Sequence, residues 1–230
     1  YVGNQRRVPA PFGEAANGLV AYSKGGDIYT VDPTTGARRA IVTGATAEAD
    51  PAFSLDGTRL AFTRTTATGL VVVVADADGG NQFVIPMPPQ ANEFAPTWSP
   101  DGRWIAGVTE TDGDTGMLSI ADTVYRTART IIGGVTDYPE IYWRPPDGRQ
   151  LAVVARVSGE LRIALVSPGD GRIDLLPPVG YAGGQFRPGG WTPDGSRFAY
   201  AADPGGWVHV IDVEGVGDVV IPPSIAGAGG

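Results

Sequence analysis

With one histidine, no cysteine and no Gly-x-Ser-x-Gly string in 230 residues, the chemistry open to this chain is narrow. Lack of cysteine excludes disulfides, thiolate metal centres and a Cys nucleophile. A Ser-His-Asp triad would have to use His209, and no nucleophile elbow accompanies it. Oxygen ligands are more frequent. Glu110, Asp112 and Asp114 alternate around Gly113, a pattern that could hold Ca²⁺. The later bidentate glutamate of an EF-hand is missing, so the segment reads first as a polar turn. Asp76, Asp78 and Gly79 form a shorter version of it. No catalytic residue, metal site or cofactor is expected.

The elements that would position any site follow from a repeat, which should be sought before single elements. Asp-Gly recurs at Asp56-Gly57, Asp101-Gly102, Asp147-Gly148 and Asp194-Gly195, at spacings of 45, 46 and 47. Five residues after each Asp stands Ala61, Ala106, Ala152 or Ala199, and shortly before it Phe53, Trp98, Trp143 or Trp191. Each copy reads as a hairpin. A first strand carries the aromatic, the turn uses the positive φ open to Gly, and a second strand carries the small residue. A third strand ends at Asp32, Asp76, Asp122, Ser167 or Asp212, and a fourth follows a further turn. Asn17-Gly18 opens a degenerate fifth copy, and Pro11-Phe12-Gly13 reads as its weakened first strand. In this register His209 shares a strand slot with Tyr29, Val73, Ser119 and Ala164, which makes it a strand position. Trp98, Trp143 and Trp191 read as packing between sheets. Trp207 falls outside that slot, as a partly exposed side chain. No stretch has a sustained 3.6-residue apolar period, so almost no helix is expected.

Repeats of this length with four short strands predict an all-β fold, a β-propeller of five four-stranded blades. The alternative is a six-bladed propeller that lacks a blade. Residues 1–16 read as linker, stalk or degenerate strand, residues 17–223 as the propeller, and residues 224–230 as a Gly-rich tail. In such a ring the linkers entering each first strand would rim one mouth of the axial channel. They carry Glu48 and Asp50, Asn92 and Glu93, Asp137 and Tyr138, Gln185 and Arg187. Loops held by a rigid scaffold carry binding residues disproportionately. This set is therefore the expected site for a protein or peptide partner, and such a ring could receive a cationic peptide segment or a metal ion.

The strings Pro51-Ala52-Phe53-Ser54-Leu55-Asp56-Gly57-Thr58-Arg59-Leu60-Ala61-Phe62 and Pro96-Thr97-Trp98-Ser99-Pro100-Asp101-Gly102-Arg103-Trp104-Ile105-Ala106 resemble the TolB-like, or WD40-like (PD40), propeller repeat of bacteria, as does Gly26-Asp27-Ile28-Tyr29-Thr30-Val31-Asp32. The resemblance runs from about residue 17 to 223. It implies the fold, and a role among periplasmic scaffolds, membrane-anchored sensor ectodomains or the lid domains of serine peptidases. The expected function is a non-catalytic protein- or peptide-binding module. The alternative is a hydrolase-associated propeller, either a glycosidase-like funnel with two carboxyls across a pocket or a peptidase lid.

Composition agrees with this reading. Gly 34 and Pro 20 suit many tight turns, and a hydrophobic fraction of 42% with five Trp argues against disorder. Seventeen basic against 25 acidic residues give a formal charge of −8 and no basic run, which disfavours nucleic acid as a partner. No apolar run approaches the roughly 20 residues that span a bilayer. The start at Tyr1 suggests an upstream part that has been removed, with a membrane anchor as one form of it. A monomeric, extracytoplasmic protein, periplasmic or at the cell surface, is the expectation.

Overall fold

The computed structural model describes residues 17–86, 94–110, 115–136, 141–176, 187–201, 207–213 and 217–222, and the regular structure among them is entirely β. A first meander holds β1 (Val20–Lys24), β2 (Asp27–Val31) and β3 (Arg38–Val42). The second holds β4 (Glu48–Phe53), β5 (Arg59–Thr66), β6 (Gly69–Asp76) and β7 (Phe83–Pro86). The third holds β8 (Thr97–Trp98), β9 (Trp104–Glu110), β10 (Thr115–Asp122) and β11 (Thr127–Thr136). The fourth holds β12 (Tyr142–Trp143), β13 (Leu151–Val157), β14 (Glu160–Val166) and β15 (Ile173–Leu175). The fifth holds β16 (Arg187–Trp191), β17 (Arg197–Ala201), β18 (Val208–Asp212) and β19 (Asp218–Ile221). All pairings are antiparallel, and Val135↔Ala155 joins the third and fourth meanders into one eight-stranded sheet. The expected first strand at Pro11-Phe12-Gly13 lies outside the described residues.

Register is the same in every copy. The shared alanine faces the third strand as Ala61↔Val74, Ala106↔Ile120, Ala152↔Leu165 and Ala199↔Val210, and Ala21↔Thr30 is its counterpart in the first meander. The extra residue in the fourth copy stays in the turn, because Trp143 still faces Leu151 as Trp98 faces Ile105.

The unbroken apolar run Leu70–Ala75 in β6 has a simple cause: both faces of that sheet are covered, so neither parity needs polar residues. Val73 packs with Ile28, Leu60 and Phe62 against the first meander. Val72 and Val74 pack with Phe94, Trp98 and Ile105 of the third. The same exchange links the third to the fourth through Leu118, Ile120, Leu151 and Val153, and the fourth to the fifth through Ile163, Leu165, Phe198 and Tyr200. Removing a side chain such as Phe62 from water contributes about 1.5–3 kcal/mol, and these four clusters hold the meanders in sequence order.

The Asp-Gly turns lock the same neighbours together. Gly57, Gly102, Gly148 and Gly195 have φ of 69, 68, 67 and 69°, a region that Gly enters without strain. Ser54, Ser99 and Thr192 donate their hydroxyls to Asp56, Asp101 and Asp194 at 2.6, 2.5 and 2.6 Å. Each turn then docks on the preceding copy. Asn17 Nδ2 donates to the Gly57 carbonyl at 3.0 Å, the Arg59 guanidinium to that of Gly102, and Arg144 Nε to that of Gly195 at 2.8 Å.

Candidate binding cavity

The first strands of the repeat are edge strands, and an uncovered edge is a liability. The aromatic slot covers it. The indole Nε1 of Trp98 donates to the Ala52 carbonyl at 2.9 Å, that of Trp143 to Thr97 at 3.3 Å and that of Trp191 to Tyr142 at 2.8 Å. Each acceptor immediately precedes the aromatic of the previous copy, so every tryptophan is tied one strand back. The expected packing of these residues between sheets is borne out by their membership of, or packing on, the apolar clusters. Arg59 and Arg144 lie over the Trp98 and Trp191 rings at 4.9 and 5.6 Å, which adds a cation–π contact to two of the joints.

Four of these strands, with the start of β1, line a cavity of about 640 Å³. All five meanders contribute to its wall, through Leu19–Ala21, Pro51–Phe53, Pro96–Trp98, Ile141–Trp143 and Gly189–Trp191, with Leu55 and Pro100 at the Asp-Gly end. The wall is aromatic and prolyl, and no carboxylate or histidine stands in it among the described residues. Leu55 is 44% exposed there. A site of this size and lining suits apolar and aromatic groups and offers little for acid–base chemistry. Sequence reasoning gave the tryptophans a packing role and missed that the same rings face the cavity. The available signal was their place on the first strand, the innermost in a radial arrangement.

The expected rim residues are placed as follows. Glu48 is 3% exposed, accepts from Arg64 Nε at 2.8 Å and from Thr46 Oγ1 at 2.6 Å, and pairs across the ladder with Arg64. In the fourth meander Ala155 holds the position of Arg64, and Val135 of β11 stands opposite it. The Glu48–Arg64 ion pair therefore fills a slot that is apolar where the third and fourth meanders meet. Its second oxygen, Oε2, has no hydrogen-bond partner among the described residues. Asp50 is exposed, sits at φ 50° in the irregular stretch between Ala49 and Ala52, and has Thr63 Oγ1 at 3.4 Å. Bulges with strained residues re-aim side chains and gather beside functional sites. Arg187 opens β16 opposite Ala201. Asn92, Glu93, Asp137, Tyr138 and Gln185 lie outside the described residues, as do Asp112 and Asp114, while Glu110 ends β9 opposite Gly116. No group of three or more metal-ligating side chains occurs among the described residues.

His209 stands on β18 with Nδ1 3.0 Å from Asp218 Oδ2 and its ring stacked on Tyr200 at 5.0 Å. Burial, with the Asp218 charge, pushes the Tyr200 hydroxyl up to about 12. This pair is outside the cavity wall. A second depression of about 830 Å³ on the turn face includes Asp101, Arg103, Arg144 and Asp147. Arg103 is paired there with Asp122 at 3.1 Å and Asp147 with Arg149 at 2.5 Å.

No protein-family model and no curated protein matches the chain. Solved structures do. TolB of Acinetobacter baumannii is similar at a TM-score of 0.55 and 18% identity, over 92% of this chain and 53% of that one. A TolB of Agrobacterium tumefaciens gives 0.60 and 16%, over 90% and 78%. The β-propeller domain of the Trilobed protease of Pyrococcus furiosus, which has an open velcro topology, gives 0.56 and 16%, over 89% and 66%. The chain thus spans about half the length of the first of these proteins. Its fold is that of a TolB-like β-propeller.

Proposed function

We propose that this chain is a non-catalytic module that binds a protein or peptide segment in the cavity at the axis of five radially arranged blades. The observation that carries the reading is the shared cavity itself, walled by Trp98, Trp143, Trp191 and Tyr142 with strand backbone between them. Exposed Asp50 at the linker-side end of β4, with Glu93 and Asp137 on the matching linkers, would receive cationic groups of the bound segment. The net charge of −8 favours the same kind of partner. The cysteine-free sequence and the likeness to TolB suit an extracytoplasmic setting, periplasmic or at the cell surface.

Peptides of twelve residues selected by display against the chain test this. Selected peptides should quench or shift tryptophan emission, lose at least tenfold in affinity on Leu55→Arg, and weaken on Asp50→Ala combined with Glu93→Ala. Selection of binders indifferent to all three changes would sink the proposal. The likeness to the Trilobed protease propeller supports a second reading, a propeller that serves an attached hydrolase. In that case peptides would enter the cavity with low affinity, and uncleaved.

A further inference from the structure

The third and fourth strands of each meander are joined by a turn at the Asp-Gly end. In the first four meanders it follows Asp32, Asp76, Asp122 or Ser167. The first and third of these turns are built alike. Asp32 Oδ1 accepts from Thr34 N at 2.8 Å and Thr35 N at 3.2 Å, and Asp122 Oδ1 accepts from Val124 N at 2.8 Å and Tyr125 N at 3.0 Å. Such an Asp sets the turn whatever its tip carries. The tips differ. Thr34-Thr35, Asp78-Gly79 and Gly169-Asp170 are polar or lack a side chain. Val124 and Tyr125 are 66% and 72% exposed, more than any other large apolar side chain among the described residues. The next position closes the turn with positive φ, as Gly36 at 72°, Gly171 at 78° and Arg126 at 55°. That region is natural to Gly and costs a residue that carries a side chain.

Three successive departures from the repeat thus make this turn more strained and its surface more apolar, on a base that is rigid. Thr123 is 5% exposed, and its N–H and hydroxyl both donate to the Arg103 carbonyl, at 3.0 and 2.7 Å. Arg59 Nη1 donates to the same hydroxyl at 3.4 Å. Arg103 pairs with Asp122 at 3.1 Å and lies over the Trp104 ring at 4.5 Å and the Tyr125 ring at 5.9 Å. Arg126 lies over Phe83 of β7 at 4.3 Å and enters no ion pair among the described residues. Strained residues persist where their surroundings over-determine them, and they gather at binding sites. An exposed Tyr and Arg on a fixed turn are the residues that anchor interfaces. Charge decides the partner. Three guanidiniums, those of Arg59, Arg103 and Arg126, meet at this corner of a chain whose formal charge is −8. The carboxylates beside them are engaged locally. Asp76 accepts from Asn81 Nδ2 at 2.5 Å, Asp101 from Ser99 Oγ at 2.5 Å and Arg103 N at 3.0 Å, and Asp122 from Arg103 and the two turn amides.

We infer that the Val124-Tyr125-Arg126 tip is a docking site for a protein segment that carries carboxylates beside an apolar or aromatic side chain. Val124 and Tyr125 pack on that side chain. Arg126, and Arg103 with 44% of its side chain exposed, take the carboxylates, which the planar guanidinium fork suits. Phe83 and Trp104 already hold the two guanidiniums from below, so little side-chain freedom is lost on binding. A lipid surface is disfavoured, because few cations would attract it against a chain that is acidic as a whole. The site is separate from the 640 Å³ cavity, whose wall includes no residue of the tip. It also selects the opposite charge to the one proposed for the linker-side mouth.

Val124→Thr, Tyr125→Thr and Arg126→Gly together install the tip of the first meander, so this variant should unfold at a urea midpoint no lower than that of the native chain. Twelve-residue display libraries are selected against the chain carrying Leu55→Arg, which obstructs the cavity, and counter-selected against the same chain with the three tip changes. Because Leu55→Arg is present throughout, failure of the cavity reading leaves this outcome untouched. Enriched peptides should be net acidic with an aromatic or aliphatic residue, lose about tenfold or more in affinity on the tip changes, and weaken as salt rises from about 50 to 200 mM. Five results overturn the inference: a clearly lower urea midpoint for the tip variant, which makes the tip a structural element; no tip-dependent peptide after counter-selection; tip-dependent peptides that are neutral or basic; tip-dependent dimers of the chain in sedimentation velocity; or tip-dependent binding to phosphatidylglycerol vesicles without binding of acidic peptides.

Discussion

Gly195→Ala and Gly18→Ala form a matched pair, since both glycines have φ of 69°. Alanine in that region costs about 1–2 kcal/mol. The restricted unfolded chain returns about 0.4–1 kcal/mol. For Gly18, with open space at its Cβ, nothing else is added, and a net loss of about 1 kcal/mol or less is expected. At Gly195 the new Cβ would overlap the Pro145 carbonyl and lie 3.1 Å from Arg144 Cγ. The obstacle is backbone, so the two turns must move apart. That breaks the 2.8 Å bond from Arg144 Nε to the Gly195 carbonyl, worth about 1–3 kcal/mol with a charged donor, and adds roughly 1–3 kcal/mol of overpacking strain. Gly195→Ala should therefore lose about 3–5 kcal/mol, at least 2 more than its partner. Urea unfolding followed by circular dichroism, with exchange at Arg197–Ala201 as a local readout, measures both. Equal losses within about 0.5 kcal/mol would refute the docking of each turn on the preceding copy.

Two further perturbations probe the joints. Trp98→Phe keeps a ring that the slot already accepts as Phe53 but removes the 2.9 Å bond to the Ala52 carbonyl; a loss of about 2 kcal/mol is expected from the bond and the smaller ring together, and a loss below about 0.5 kcal/mol in urea titration would mean that cavity water serves that carbonyl equally well. Asp194 is held down to about 2 from 3.8, first by the Thr192 hydroxyl and then by the Ser196 N–H and hydroxyl. A depressed folded value stabilises above the unfolded value and is lost as pH falls through the folded one. The stability gap between the native chain and Asp194→Ala should accordingly be full above about pH 4 and vanish towards pH 2; a carboxyl resonance titrating near 3.8 would mean the turn's hydrogen bonds do not form.

Strand order, register and turn chemistry were legible because each is local. Asp-Gly with a hydroxyl two residues before Asp specifies a turn wherever it occurs, and Leu70–Ala75 declares a strand covered on both faces. The extra residue before Asp147 was harmless because a turn absorbs what a ladder cannot. Glu48 was different. Its burial depends on Arg64, sixteen positions away and across a ladder. From sequence it stood as one more acid on a linker, indistinguishable from Asp50. The cavity was half legible: the aromatic slot is plain in sequence, but whether a ring faces a neighbour, a void or both depends on how the strands of separate copies approach one another.

Closure of the ring lies beyond a periodic signal for a physical reason. A repeat encodes what each sheet offers its two neighbours, and stability is close to a sum of such neighbour terms. Val208, Val210 and Val20 read in sequence as ordinary members of the pattern, because they keep the apolar character that a joint requires. What distinguishes them is their exposure: Val208 and Val210 are half-buried and Val20 is 46% exposed, where the equivalent residues of the other copies are buried.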